Sequence, residues 1–115
     1  MAEQPEIENT APILRVKDMK TSLEYYEKVL GFKWAGWGDT FTFVGRDGHG
    51  MYLCEGSQGC VGTWVWVGSH DVTRLHGEYK QSGAKIILPP TNYPHALEMH
   101  VEDPDGHVLR FGSGP

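Results

Sequence analysis

Apolar and polar positions along this chain follow a plan that is written twice. A short apolar run, Ile13-Leu14-Arg15-Val16, leads to Asp18 and then to Met19, Leu23, Tyr26 and Leu30 at three-to-four spacing. That spacing predicts a helix from about Asp18, a good N-cap, to about Leu30, with Gly31 as its stop. In the second half Trp64-Val65-Trp66-Val67 leads to Asp71, a helical stretch to about Gln81, and Gly83-Ala84. Each half then closes on one tripeptide, Asp47-Gly48-His49 and Asp105-Gly106-His107. Asp-Gly flanked by apolar residues is a hairpin signal, because glycine supplies the positive φ of tight hairpin turns.

The remaining pattern predicts strands at 11–16, 32–36, 40–45 and 50–55, then at 62–68, 84–88, 96–102 and 107–112. Pro12 points to an edge or a strand start, and Pro89-Pro90 with Pro94 predict a long loop across the sheet edge. The expected architecture is α+β: two βαβββ units, about 10–56 and 60–115, in a single domain behind a polar tail at 1–9. Gly56-Ser57-Gln58-Gly59 is the only linker-like stretch between them. Strand twist should curl the units into a half-open mixed sheet around a cleft. A cleft between repeats is lined twice by equivalent positions.

Composition narrows the function only a little. Fifteen acidic residues against ten lysines and arginines give a formal net charge of −5, the wrong sign for a nucleic-acid partner. The chain has no long apolar run of membrane-spanning length and begins on an acidic segment unlike a signal peptide, so the expected location is the cytoplasm. Cys54 and Cys60 are too few for a disulfide framework and should stay reduced.

At this point the chain resembles the vicinal oxygen chelate superfamily, and within it the bleomycin-resistance proteins. The resemblance rests on Ala11-Pro12-Ile13-Leu14, Asp18, Tyr25-Tyr26 and Leu30-Gly31-Phe32 in the first half. In the second half it rests on Thr63-Trp64-Val65-Trp66-Val67 and Asp103-Pro104-Asp105-Gly106-His107. It implies the glyoxalase/bleomycin-resistance fold and a homodimer whose subunits exchange an N-terminal strand. It also implies an aromatic ligand, such as a glycopeptide antibiotic, held in a groove at the subunit interface. In the family that groove uses an aromatic residue before the penultimate strand, where this chain has Tyr93-Pro94-His95-Ala96 in place of a Trp-Gly pair.

Metal-dependent members of the superfamily hold a divalent ion on histidine and glutamate side chains of the first and last strands. Carried over by spacing, those positions fall on Ala11, Gly62 and Arg110. A methyl group, a bare backbone and a guanidinium do not make a cation site. The resemblance therefore implies no catalytic residues, no metal and no cofactor. The alternative is a metal-dependent lyase, transferase or dioxygenase with its site moved to Glu98, His100 and Glu102, which share a strand face. His49 and His107 occupy hairpin tips and are expected to be exposed.

Period-two alternation places Ile13, Arg15, Trp64, Trp66, Val108 and Arg110 on the cleft side. Trp34, Trp37, Tyr52, Tyr93, His95, Glu98 and His100 complete the candidate ligand-binding set, and Phe41, Phe43 and Tyr26 are assigned to the core. Aromatic faces suit flat heteroaromatic ligands and cations. Arg15 and Arg110 either pair with Glu55 or Glu98 or meet an anionic group of the ligand.

Overall fold

The computed structural model describes residues 4–115; residues 1–3 of the expected tail lie outside them. Strand β1 (Ile13–Arg15) precedes helix α1 (Met19–Glu24), which widens into a π-turn over Tyr25–Val29. Strands β2 (Lys33–Trp34), β3 (Phe41–Arg46) and β4 (His49–Cys54) complete the first unit. The second comprises β5 (Trp64–Gly68), α2 (Val72–Ser82), β6 (Lys85–Asn92), β7 (Leu97–Glu102) and β8 (Val108–Ser113). The strands form two four-stranded mixed sheets of matching order, β1-β4-β3-β2 and β5-β8-β7-β6. The first and last strands of each unit pair in parallel and the rest antiparallel. This is the expected pair of βαβββ units, without a closed barrel.

Local chemistry explains the helices. The Asp18 carboxylate accepts from Lys20 N and Thr21 N, and Asp71 accepts from Arg74 N, so both helices start on the predicted caps. Gly83 ends α2 at φ 85°, a left-handed conformation that glycine adopts without penalty. The stripe of α1 is buried at Met19, Tyr26 and Leu30, with Leu23 packed beside it.

Two expectations are corrected here. The Pro89-Pro90 stretch is not a loop: β6 runs straight through it, because β6 is the sheet edge and its pairing with β7 slips on either side of Leu88. A residue without an N–H is tolerated where no neighbour awaits its hydrogen bond. His107 is not exposed like His49 but fully buried. Its Nδ1 accepts from Thr63 N at 3.0 Å, so Nε2 carries the proton and donates to Arg15 O at 2.6 Å.

His107 belongs to a seam that joins the units. Tyr26 OH donates to Asp103 Oδ2 at 2.8 Å, and Lys17 N donates to Asp105 Oδ1 at 2.8 Å. Burial raises the pKa of both Tyr26 and Asp103, although the tyrosine's hydrogen bond pulls the carboxyl back down. At the other end of the seam, Tyr79 OH and Ser82 Oγ donate to the carbonyls of Leu30 and Val29. Arg46 forms a two-point ion pair with Glu78 at 2.7 and 2.9 Å. One continuous core results, from Leu14, Tyr26, Leu30 and Val44 through to Tyr79, Met99 and Phe111. Only the helix-backed face of each sheet contributes to it.

Two stability predictions follow from the seam. His107→Ala should cost on the order of 3 kcal/mol, because it strands a buried N–H and a carbonyl, and urea unfolding should show a lower midpoint at unchanged slope. The Arg46 hydrogen bonds lower the Glu78 pKa, so the pair's stabilisation is fully present above the usual carboxylate range and is lost as pH falls from that range down through the lowered folded-state value. Glu78→Gln should therefore cost about 0.5–1 kcal/mol at pH 7, a modest figure because both groups are partly solvated, and the difference from the parent should shrink as acid titrates Glu78 below the usual carboxylate range.

Candidate functional site

The faces turned away from the helices carry the candidate chemistry. On the first sheet, cross-strand register sets Ile13, Tyr52 and Phe43 in one row and Arg15, Cys54 and Phe41 in the next. Phe41 stacks on Tyr52 with ring centres 5.1 Å apart, Phe43 meets the same ring edge-on at 5.0 Å, and Trp37 lies 6.3 Å from Phe41. Phe41 and Phe43 are therefore not core residues. They alternate with Thr42 and Val44, which are buried on the helix side, and stand half-exposed on the open face. Trp34 goes the other way. It pairs with Val44 and donates from Nε1 to Thr42 Oγ1 at 2.8 Å, so it sits on the helix side of the sheet edge, apart from the other candidates.

The second sheet offers Trp64, Val108 and Glu102 in one row and Trp66, Arg110, His100 and Leu88 in the next. Trp64 and Trp66 are 56% and 53% exposed, high values for indoles, and they stand on β5 at the edge of the sheet beside the partly buried Val65 and Val67. Trp66 lies flat across Gly112: a methyl at that glycine would come within 2.1 Å of the indole. Glycine is required here for close approach, not for backbone conformation. The Arg110 guanidinium lies 5.7 Å from the Trp66 ring centre, within cation–π range, and His100 meets Trp64 edge-on at 5.2 Å.

Glu98 organises this face. Its side chain is 1% exposed, and its two oxygens receive four contacts. Arg110 donates from Nε to Oε1 at 2.6 Å and from Nη2 to Oε2 at 2.9 Å. His100 Nε2 reaches Oε1 at 3.1 Å and His95 Nε2 reaches Oε2. The Arg110 hydrogen bonds hold the Glu98 carboxyl down at about 2 against the opposing effect of desolvation, and the two imidazoles reinforce them. His95 also stacks on Tyr93 at 5.8 Å, which ties the loop before β7 to the cluster.

The question left open for the arginines is thus divided. Arg110 pairs with Glu98; Arg15 donates to Ser57 O while its buried Nε has no partner among the described residues, and Glu55 instead accepts from Met19 N. Glu102 leaves the trio it forms with Glu98 and His100 in sequence and binds Lys85 at 2.8 Å. Among the described residues no three His, Cys, Asp or Glu side chains converge as a metal site. Arg110 occupies the Glu98 oxygens that a relocated ion would need, and Ala11 and Gly62 offer no donor atoms, so these residues do not fit a divalent cation. Two surface clefts of about 560 and 680 Å³ lie elsewhere, along the seam at Lys17, Glu55, Pro104 and Asp105. Their acidic side chains already cap backbone N–H groups.

Sequence reasoning missed Phe41, Phe43 and Gly112. The alternation of β3 around Val44 held a signal for the first two; the role of Gly112 needs the partner indole in place.

Comparison with known proteins agrees with this architecture. No curated protein matches the chain. Among solved structures, the bleomycin-binding protein from Streptomyces verticillus, complexed with copper(II)-bleomycin, superposes with a TM-score of 0.81. It is 19% identical, over 97% of this chain and 100% of that one. TnmS3, an antibiotic-binding protein from Streptomyces sp. CB03234, gives 0.78 at 17% identity over 97% and 100%. Virulence protein STM3117 from Salmonella typhimurium gives 0.76 at 18% identity over 96% and 100%. At such identities the likeness is one of fold. Residues 7–111, nearly the whole chain, match the family model, and the chain belongs to the Glyoxalase/Bleomycin resistance protein/Dioxygenase superfamily.

Proposed function

We propose that this is a non-catalytic, cytoplasmic small-molecule binding protein of the bleomycin-resistance type, which sequesters a flat aromatic ligand in a groove between two copies of the chain. The observation that carries the reading is that both open faces bear aromatic side chains outside the chain's own core: exposed Trp37 beside half-buried Phe41, Phe43 and Tyr52 on one, exposed Trp64 and Trp66 on the other. Rows of this kind on a soluble chain call for a partner surface, a ligand, or both. Pairing two chains would bring the first open face of one subunit against the second of its partner and form two equivalent grooves. The segment before β1 carries no helix or strand over residues 4–12, and it is the part of the chain that would exchange between subunits. The chain's fold neighbours include proteins described as binding bleomycin and antibiotics, which supports a ligand of that class.

Two measurements test this. Light scattering coupled to size exclusion should give a dimer, and a monomer at micromolar concentration overturns the interface groove. Titration of tryptophan fluorescence with metal-free and copper-loaded bleomycin should quench at about one ligand per subunit. Trp66→Ala should weaken binding by roughly 2 kcal/mol, or about thirtyfold. Gly112→Ala, which dislodges the Trp66 indole without removing it, should cost about tenfold. Quenching that is unchanged in both variants would place the ligand elsewhere.

A further inference from the structure

The Arg110 cluster goes beyond a stacking surface. A carboxylate has about four lone-pair sites, and those of Glu98 are all taken, by two guanidinium N–H groups and two imidazole nitrogens. The only acid in the cluster is buried and saturated, so it offers nothing to a ligand. Glu102, the next acid along β7, is tied to Lys85. What the cluster turns outward is therefore donor and cation. A guanidinium carries five N–H groups, and Glu98 uses two of those on Arg110. The side chain is 41% exposed, and its remaining three N–H groups lie beside the half-exposed Trp66 indole. Clamping by Glu98 fixes the plane of the fork, so little side-chain freedom is left to lose when those donors are used.

We propose that Arg110 is the specificity-determining residue of the groove and selects flat aromatic ligands that carry an anionic oxygen, a carboxylate or phenolate, at the ring edge. The ring would lie on Trp66 and the oxygen would accept from the outward N–H groups of Arg110, as charge-assisted hydrogen bonds. Glu98 is the positioning residue that aims the fork. The inference rests on the groove reading above and sharpens it from aromatic ligands in general to acidic ones.

The test is an NMR titration of the ¹⁵N-labelled full chain with 2-naphthoate and, in parallel, its neutral isostere 2-naphthamide. The signals followed are the Trp66 indole N–H and the Arg110 Nε–H. Naphthoate should shift both signals and bind at least tenfold more tightly than naphthamide. Arg110→Met should abolish that preference while leaving the indole response, and Arg110→Lys should restore part of it. Equal binding of the two probes by the parent protein, with the indole shifted, overturns the selection for anions and leaves the aromatic groove standing. A preference that survives in Arg110→Met overturns the role of Arg110. No indole shift with either probe overturns the groove reading together with the inference. Should Arg110→Met fail a thermal-melt check for folding, the probe preference and the Arg110 Nε–H shift of the parent decide alone.

Discussion

The turn Asp103–His107 is the constraint on which the rest of the molecule depends. Asp103 Oδ1 accepts from the backbone N–H groups of Asp105 and His107, which closes the turn on itself. Side chains of the turn then reach across to the first unit. Asp103 takes the Tyr26 hydroxyl, Asp105 takes Lys17 N and the Ser22 hydroxyl, and His107 donates to the Arg15 carbonyl. These contacts span up to 92 positions in sequence. Such groups are costly to leave unpaired when buried, so they fix how the two units meet rather than add much net stability. The matching turn of the first unit does none of this: Asp47 and His49 are exposed, and Asp47 itself takes a positive φ of 54° in a plain hairpin. The internal repeat is thus broken at the point where the two copies must recognise each other.

Fixing the units helix side to helix side has a consequence for the sheets. A sheet has two faces, and a chain this short builds one core. Once Val44, Met51 and Leu53 from the first sheet, and Met99, Leu109 and Phe111 from the second, have been spent on it, the alternate residues must face outward. On an ordinary solvated face they would be polar. Here they are Phe41, Phe43, Tyr52, Trp64 and Trp66. The outward placement of these rings is thus a product of the same seam that buries Tyr26 and Tyr79, and the aromatic character of the open faces is set against the topology of the core.

Features governed by neighbours in sequence were legible before any coordinates. The two caps, the glycine stop of α2, the buried stripe of α1 and the outward side of Trp64 and Trp66 each follow from a few adjacent residues. Features governed by distant partners were not. Pro89-Pro90 reads as a loop unless β6 is known to be an edge strand. His107 reads as a solvated turn residue unless Arg15 and Thr63 are known to close over it. Trp34 reads as a groove residue unless its register with Val44 is known. Glu98 and His100 were correctly placed on one strand face, yet their order with Glu102 suggested ligands for an ion. The decisive neighbour, Arg110, lies on the adjacent strand directly opposite His100.

That substitution of partners carries the chemical argument. In this superfamily resemblance the position of Arg110 belongs to a metal-binding glutamate, so a carboxylate has been exchanged for a guanidinium, and Glu98 on the next strand supplies the negative charge. The open face keeps a positive centre but changes its kind. A divalent ion accepts electron pairs, lowers the pKa of bound water and can open a coordination position. A guanidinium does none of these; it stays protonated and presents N–H groups in a fixed plane. Glu98, held ionised and with its lone pairs engaged, is equally unsuited to take up a proton near neutral pH. Both members of the pair are thus chemically quiet and geometrically rigid. An indole laid against a clamped donor array has little means of transforming a ligand, and that balance is what favours the proposed retention of a planar ligand over turnover.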